Sequence, residues 1–249
     1  MDVKELKIYQ KLASKQFIRM VAFGSSSTQR FDVGMHWFDF VELGFKNVYG
    51  GSCGQFINSG VTNNTTKDLL ERFDSQLAVY CPDLVIVTVG ANDCIFRIPL
   101  EESHQNLLRL HAQITELGAD VVFQTFYACD MQLLKELNLE WNRHLVTDMV
   151  YYLDTIRGVA KDAGCCLIDC DARWSPLRDM YLSEYRKLMR DPLHVNALGN
   201  MLIGLDVMRF FDTQLRFDQT EYCHDGLLMQ YRLDILSRKV MDFEGRVLR

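Results

Sequence analysis

The chain has 249 residues, 48% of them hydrophobic and 24% charged, with a formal net charge of −6 at pH 7. That length allows one large domain or two small ones and a sizeable core. The acidic balance argues against a nucleic-acid partner, which would call for a basic patch, and no stretch reaches the roughly 18 apolar residues of a membrane span.

Residues 3–14 read as an amphipathic helix. The N-terminus has neither an apolar signal core nor a small-residue cleavage site, so the expected location is cytoplasmic. Residues 17–23 form an apolar strand that runs straight into Gly24-Ser25-Ser26-Ser27-Thr28. Helical spacing of Trp37, Phe38, Val41 and Leu43 predicts a helix over 35–44, with Gly44 as its stop. Residues 55–58 suit a short strand. Thr65 or Thr66 caps a helix predicted to reach about Tyr80, with Asp68 in its first turn. After Pro82-Asp83, residues 84–89 are continuously apolar, the pattern of a strand covered on both faces. A helix over 101–117 stops at Gly118, and 121–125 is a second buried strand. One long helix over about 134–163 closes at Gly164. Residues 165–168 form the last strand and 196–212 a late helix.

Buried strands alternating with helices predict an α/β fold, a three-layer α/β/α sandwich around a central parallel sheet. In such sheets ligands bind beyond the C-terminal strand ends. Gly24–Thr28, Asn58–Gly60, Gly90–Asp93, Gln124–Tyr127 and Asp169–Asp171 all follow predicted strands, so the topology would gather them at one edge. No linker-like segment divides the chain. Residues 1–249 are therefore expected to form one domain, with about 213–249 as an extension packed on it and Leu228, Leu233 and Ile235 among its contact positions. That extension is also where an oligomer contact would form. The arginines and Lys239 in it are interrupted by acidic residues and read as a solvated face. The eight cysteines are spread over a long chain, and buried reduced thiols are expected. Cys165, Cys166 and Cys170 lack C-x-x-C spacing, and neighbours on a strand face opposite ways. No metal site is expected.

A serine after a strand, together with Asp191-Pro192-Leu193-His194, supplies a nucleophile, a base and an orienting acid. Four blocks resemble the SGNH hydrolases, the superfamily that includes the GDSL lipases and esterases: Phe23-Gly24-Ser25-Ser26-Ser27-Thr28, Asn58-Ser59-Gly60, Gly90-Ala91-Asn92-Asp93, and Asp191–His194 followed by Asn196 and Gly199. The resemblance spans about residues 17–212 and implies the flavodoxin-like SGNH fold. It implies that Ser26 is the nucleophile, His194 the general base and Asp191 its partner. The oxyanion donors it implies are the Ser26 N–H, the Gly60 N–H and the Asn92 side chain. Two positions depart from the family. Ser25 stands where an aspartate is usual, and Asn63 where many members carry another glycine. Asparagine tolerates left-handed backbone angles better than most residues.

The implied activity is hydrolysis of a small-molecule carboxylic ester through an acyl-serine, without metal or organic cofactor. A short acyl ester, an acetylated sugar and transfer to an alcohol are all compatible with it. Two other readings compete. One is a carbohydrate- or lipid-binding module without turnover, suggested by Ser25. The other is a phosphate-binding flavodoxin-like protein whose serine-rich turn cradles an anion. The second leaves Gly90–Asp93 and Asp191–His194 unused. His36, His104, His111, His144 and His224 are assigned to surfaces or packing, His36 with the option of lining the pocket. Phe126, Tyr127 and Trp141 are read as core residues or a substrate platform.

Overall fold

The computed structural model describes residues 2–30, 34–138, 140, 143–213 and 223–237. Five strands, β1 (Ile18–Gly24), β2 (Gly54–Gly60), β3 (Leu84–Thr88), β4 (Asp120–Gln124) and β5 (Cys166–Ile168), form one sheet in the order β2-β1-β3-β4-β5. Every pairing is parallel. The chain order reverses direction at β1, so the crevice between the ends of β1 and β3 is the switch point where such sheets bind ligands.

Alternation along the strands divides the core in two. Ile18, Met20 and Ala22 of β1 face one layer, with Ile86 and Val122. Val21 and Phe23 face the other, with Val85, Val87 and Phe123. The first layer is covered by α1 (Lys7–Ala13), α2 (Trp37–Tyr49), α9 (Cys170–Met180), α10 (Leu182–Arg186), α11 (Ala197–Phe210) and α12 (Cys223–Ser237). The second is covered by α3 (Thr66–Glu71), α4 (Phe73–Gln76), α5 (Ala91–Ile95), α6 (Leu100–Glu116), α7 (Met131–Leu137) and α8 (Arg143–Asp162). No helix among the described residues is long and apolar enough to cross a membrane.

Several boundaries differ from expectation for local reasons. The first helix is broken at Leu6, whose extended backbone separates a 3-10 turn (Val3–Glu5) from α1. Gly44 does not end α2. It lies inside the helix where an added Cβ would sit 2.7 Å from Met208 and 2.8 Å from Thr213, so it is a close-approach position against α11. The stop is Gly50, at φ +97°. The helix expected over 134–163 is split, with Asn138 at φ +44° ending α7. The predicted run to Tyr80 becomes α3, α4 and a 3-10 turn, because the backbone departs from helix at Arg72 and Leu77. The α5, α9 and α10 helices were not anticipated. The tail helix α12 lies on α9 and α11. Its Leu233 is fully buried, and Gln230 and Arg173 converge on the buried Asp206 at 2.7 and 2.6 Å.

Candidate active site

The turn after β1 is shaped by what a side chain at Gly24 would strike. An added Cβ would lie 2.3 Å from the Thr88 carbonyl and 2.4 Å from Thr28 Oγ1. Glycine therefore lets the chain turn tightly against β3, and Ser25 N–H anchors it by donating to the Thr88 carbonyl at 3.2 Å. The Ser25 carbonyl then accepts from Thr28 and Gln29 N–H at 3.0 and 2.9 Å. Ser25 is buried, while Ser26 is partly exposed at the crevice.

From the far end of the sequence, His194 Nε2 comes within 3.0 Å of Ser26 Oγ. Its Nδ1 lies 2.9 Å from Asp191 Oδ2 and 3.0 Å from Oδ1. The carboxylate holds the proton on Nδ1, which leaves Nε2 free to accept from the serine. Asp191 Oδ1 also accepts from Leu193 and His194 N–H, each at 2.8 Å. Partial burial alone would raise the Asp191 pKa. The bonds from the His194 side chain and from these amides outweigh it and hold the carboxyl down at about 2.

The loop carrying this pair is tied to the end of β4. Tyr127 Oη accepts from Val195 N–H at 3.1 Å, and Asp130 N–H donates to the Pro192 carbonyl at 3.0 Å. Tyr127 thus touches the site through its hydroxyl while its ring packs 6.0 Å from that of Trp174.

The second block is placed differently from expectation. Gly60 N–H is already used, donating to Asn58 Oδ1 at 3.0 Å. An added Cβ at Gly60 would sit 2.2 Å from Gln29 N, so this glycine serves the close packing of β2 under the serine turn. The residue that reaches the crevice is Asn63, three positions on, at φ +62°. Among the described residues, neither the Ser26 N–H nor the Asn63 N–H donates to a protein acceptor. Asn92 Nδ2 donates one proton to the Asn64 carbonyl at 2.9 Å, and its other N–H remains available. Asp93 is fully buried away from the crevice. It binds Thr66 N–H at 3.0 Å and Thr66 Oγ1 at 2.6 Å, fixing the start of α3, and burial pushes its pKa up despite those donors.

Arg72 was missed by sequence reasoning. Its guanidinium donates to the Gly24 and Ser59 carbonyls at 2.9 and 3.0 Å and to Asn64 Oδ1 at 2.6 Å. It also stacks 4.2 Å from the Phe23 ring. One cation therefore joins the serine turn, the end of β2 and the segment that holds Asn92. Burial lowers its pKa to about 10, which still leaves it charged. The available signal was an arginine three residues after the core residue Leu69, where a helix faces its sheet.

Asp169 and Asp171, which follow β5, do not join the crevice. Arg157 binds Asp169 at 2.7 and 2.9 Å and Asp171 at 2.8 Å. His36 caps α2 and also lines the crevice. His144 meets Arg97 at the surface, at 2.7 Å. Trp141 and the His224 side chain lie outside the described residues.

Two depressions meet at Ser26, Ser27 and His194. One is a cavity of about 190 Å³ with largely apolar walls. The other is a cleft of mixed character in which Gln29, Arg30, His36, Arg190 and Asn200 stand beside Met35, Val195 and Ala197.

Known proteins share this architecture. An acetyl xylan esterase, AlAXEase, superposes with a TM-score of 0.65 at 20% identity, covering 77% of this chain and 98% of its own. A catalytic mutant of an acetylxylan esterase from Geobacillus stearothermophilus gives 0.65 at 18%, covering 79% and 95%. At these identities the likeness establishes the fold. An arylesterase of Vibrio mimicus is 35% identical over 66 residues, 26% of this chain and 33% of its own length, so the match spans about a third of that relative. Residues 22–202 match the GDSL-like lipase/acylhydrolase family. The chain belongs to that family of ester-hydrolysing enzymes.

Proposed function

We propose that the protein is a serine esterase that cleaves a small carboxylic ester through an acyl-enzyme. The observation that carries this reading is the continuous chain Ser26 Oγ, His194 Nε2, His194 Nδ1, Asp191, with contacts of 3.0 and 2.9 Å, at the open end of the sheet. Ser26 Oγ attacks the ester carbonyl carbon as its proton passes to His194 Nε2. The C=O electron pair moves onto oxygen, where the Ser26 N–H, the Asn63 N–H and the free Asn92 N–H receive it. Collapse breaks the bond to the alcohol oxygen, which takes the proton from His194. Water then repeats the sequence against the acyl-serine and releases the acid.

In this reading Asn63 takes the donor role that the resemblance gave to Gly60. Each donor is worth about 3–4 kcal/mol in the transition state. Residues 1–249 are read as one hydrolase unit, and the burial of Leu233 and Met229 supports the C-terminal segment as an extension packed on it.

The test is a panel of p-nitrophenyl esters and acetylated sugars, run on the wild type and on Ser26→Ala. Activity in the wild type with near-total loss in the variant supports the reading. Equal rates in the two proteins remove Ser26 from the mechanism.

A further inference from the structure

The two depressions that meet at Ser26 differ in chemistry, and a substrate ester has two halves to place. The 190 Å³ cavity is lined by Thr62, Asn63 and Asn92, which include two of the proposed oxyanion donors, and by Ile95, Phe126 and Leu193. Apart from His194, no side chain lining it can carry a charge at neutral pH. Cys129, in its wall, is buried, and burial pushes its thiol up to about 12, so it remains neutral. The cleft on the other branch presents Gln29, Arg30, His36 and Arg190.

A carbonyl oxygen directed at the Asn63 and Asn92 donors leaves the acyl substituent at the mouth of the apolar cavity. The leaving oxygen must stay beside His194 to be protonated, and the cleft that carries Arg30, His36 and Arg190 opens beside that histidine. Size argues in the same direction. A dry apolar cavity of about 150 Å³ is large enough to hold benzene, so one of about 190 Å³ is poorly filled by an acetyl methyl group.

We infer that the preferred substrates, on the esterase reading above, carry an apolar acyl group of about four to six carbons, or benzoyl, on a polar alcohol, with the acyl group seated between Ile95, Phe126 and Leu193. Each methylene moved from water into such a cavity is worth about fourfold, so butyryl, with two more, should exceed acetyl by about sixteenfold in kcat/KM.

The experiment measures kcat/KM for p-nitrophenyl acetate, butyrate, hexanoate and benzoate with wild type, Ile95→Trp and Ile95→Ala. Ile95 is only half-buried at the cavity edge, so both variants should fold, which circular dichroism checks. The expected result is a wild-type hexanoate-to-acetate ratio of tenfold or more, cut at least tenfold by Ile95→Trp and kept or raised by Ile95→Ala. A wild-type profile that is highest for acetate and falls with chain length overturns the inference while leaving the esterase reading standing. So does a ratio unmoved by Ile95→Trp. Absence of Ser26-dependent turnover on every ester overturns the esterase reading itself, and this inference with it.

Discussion

Ser26, the proposed nucleophile, directly follows a strand of the sheet, whereas His194 and Asp191, its proposed partners, hang from a loop. The β1 strand is paired along its length with β2 and over its last five residues with β3, and Arg72 binds the carbonyl at its end. The loop at 188–196 has one isolated bridge, Met189 with Val195, a few bonds of its own such as Arg190 N–H to the His194 carbonyl at 2.8 Å, and its ties to Tyr127 and Asp130. The proposed nucleophile is thus positioned by sheet pairing, while the proposed acid–base pair lies between Leu188 and Val195, which anchor the loop in the core. Damage to the first region should cost stability and turnover together. Damage to the second should cost turnover first, with a smaller loss of stability.

The largest effects test the loop. His194→Ala should lower kcat by about 10⁴-fold or more with a melting temperature within about 2 °C of wild type. Loss of cooperative unfolding would instead make His194 a structural residue. Asp191→Asn should cost about 10⁴-fold in kcat, because the amide no longer fixes the imidazole tautomer. The depressed pKa of Asp191 also sets a pH dependence of stability. Its contribution is complete above the ordinary 3.8 and is lost as pH falls through about 2. Acid unfolding of wild type and Asp191→Asn should therefore converge near pH 2 and separate above pH 4.

Intermediate effects test the donors. Asn92→Ala should reduce kcat by about 10²–10³-fold. Asn63→Gly should stay within about threefold, since glycine keeps the N–H and accepts the positive φ. By contrast, Gly60→Ala should be strongly destabilising although its N–H faces no substrate, because its Cβ would strike the Gln29 backbone. A harmless Gly60→Ala combined with a dead Asn63→Gly would reverse the assignment.

Arg72→Met probes the sheet side. Removing the guanidinium from the Gly24 and Ser59 carbonyls and Asn64 Oδ1 should cost about 3 kcal/mol of stability and lower kcat in the same variant. A stable protein with normal turnover would break the contrast between the two regions. Tyr127→Phe should be mildest, about 1 kcal/mol, with a kcat loss of several-fold and little change in KM.

The inner strands and the edge where polar ends gather were legible because β1 and β3 are largely apolar runs closed by glycine and a polar cluster, whereas β2 shows only Phe56 and Ile57 between polar residues. That Ser26, Asp191 and His194 would meet was legible because the proposed chemistry restricts residue type more tightly than packing does. What escaped depended on distance in space. Gly44 has the composition of a helix stop, and only the approach of Met208 explains it as a contact point. Asn63 and Gly60 differ in which backbone amide is already spent, and that follows from how Asn58 turns back at the end of β2. Arg72 reads as an ordinary helix arginine until three carbonyl and amide oxygens from separate segments are seen around it.

The most direct test of the central claim is labelling with a fluorophosphonate followed by peptide mass spectrometry on wild type and His194→Ala. One adduct per chain is expected in the wild type, on Ser26 and not on Ser25 or Ser27, with slow or absent labelling in the variant. Folded wild-type protein that takes no label, or takes it on another serine, would contradict it.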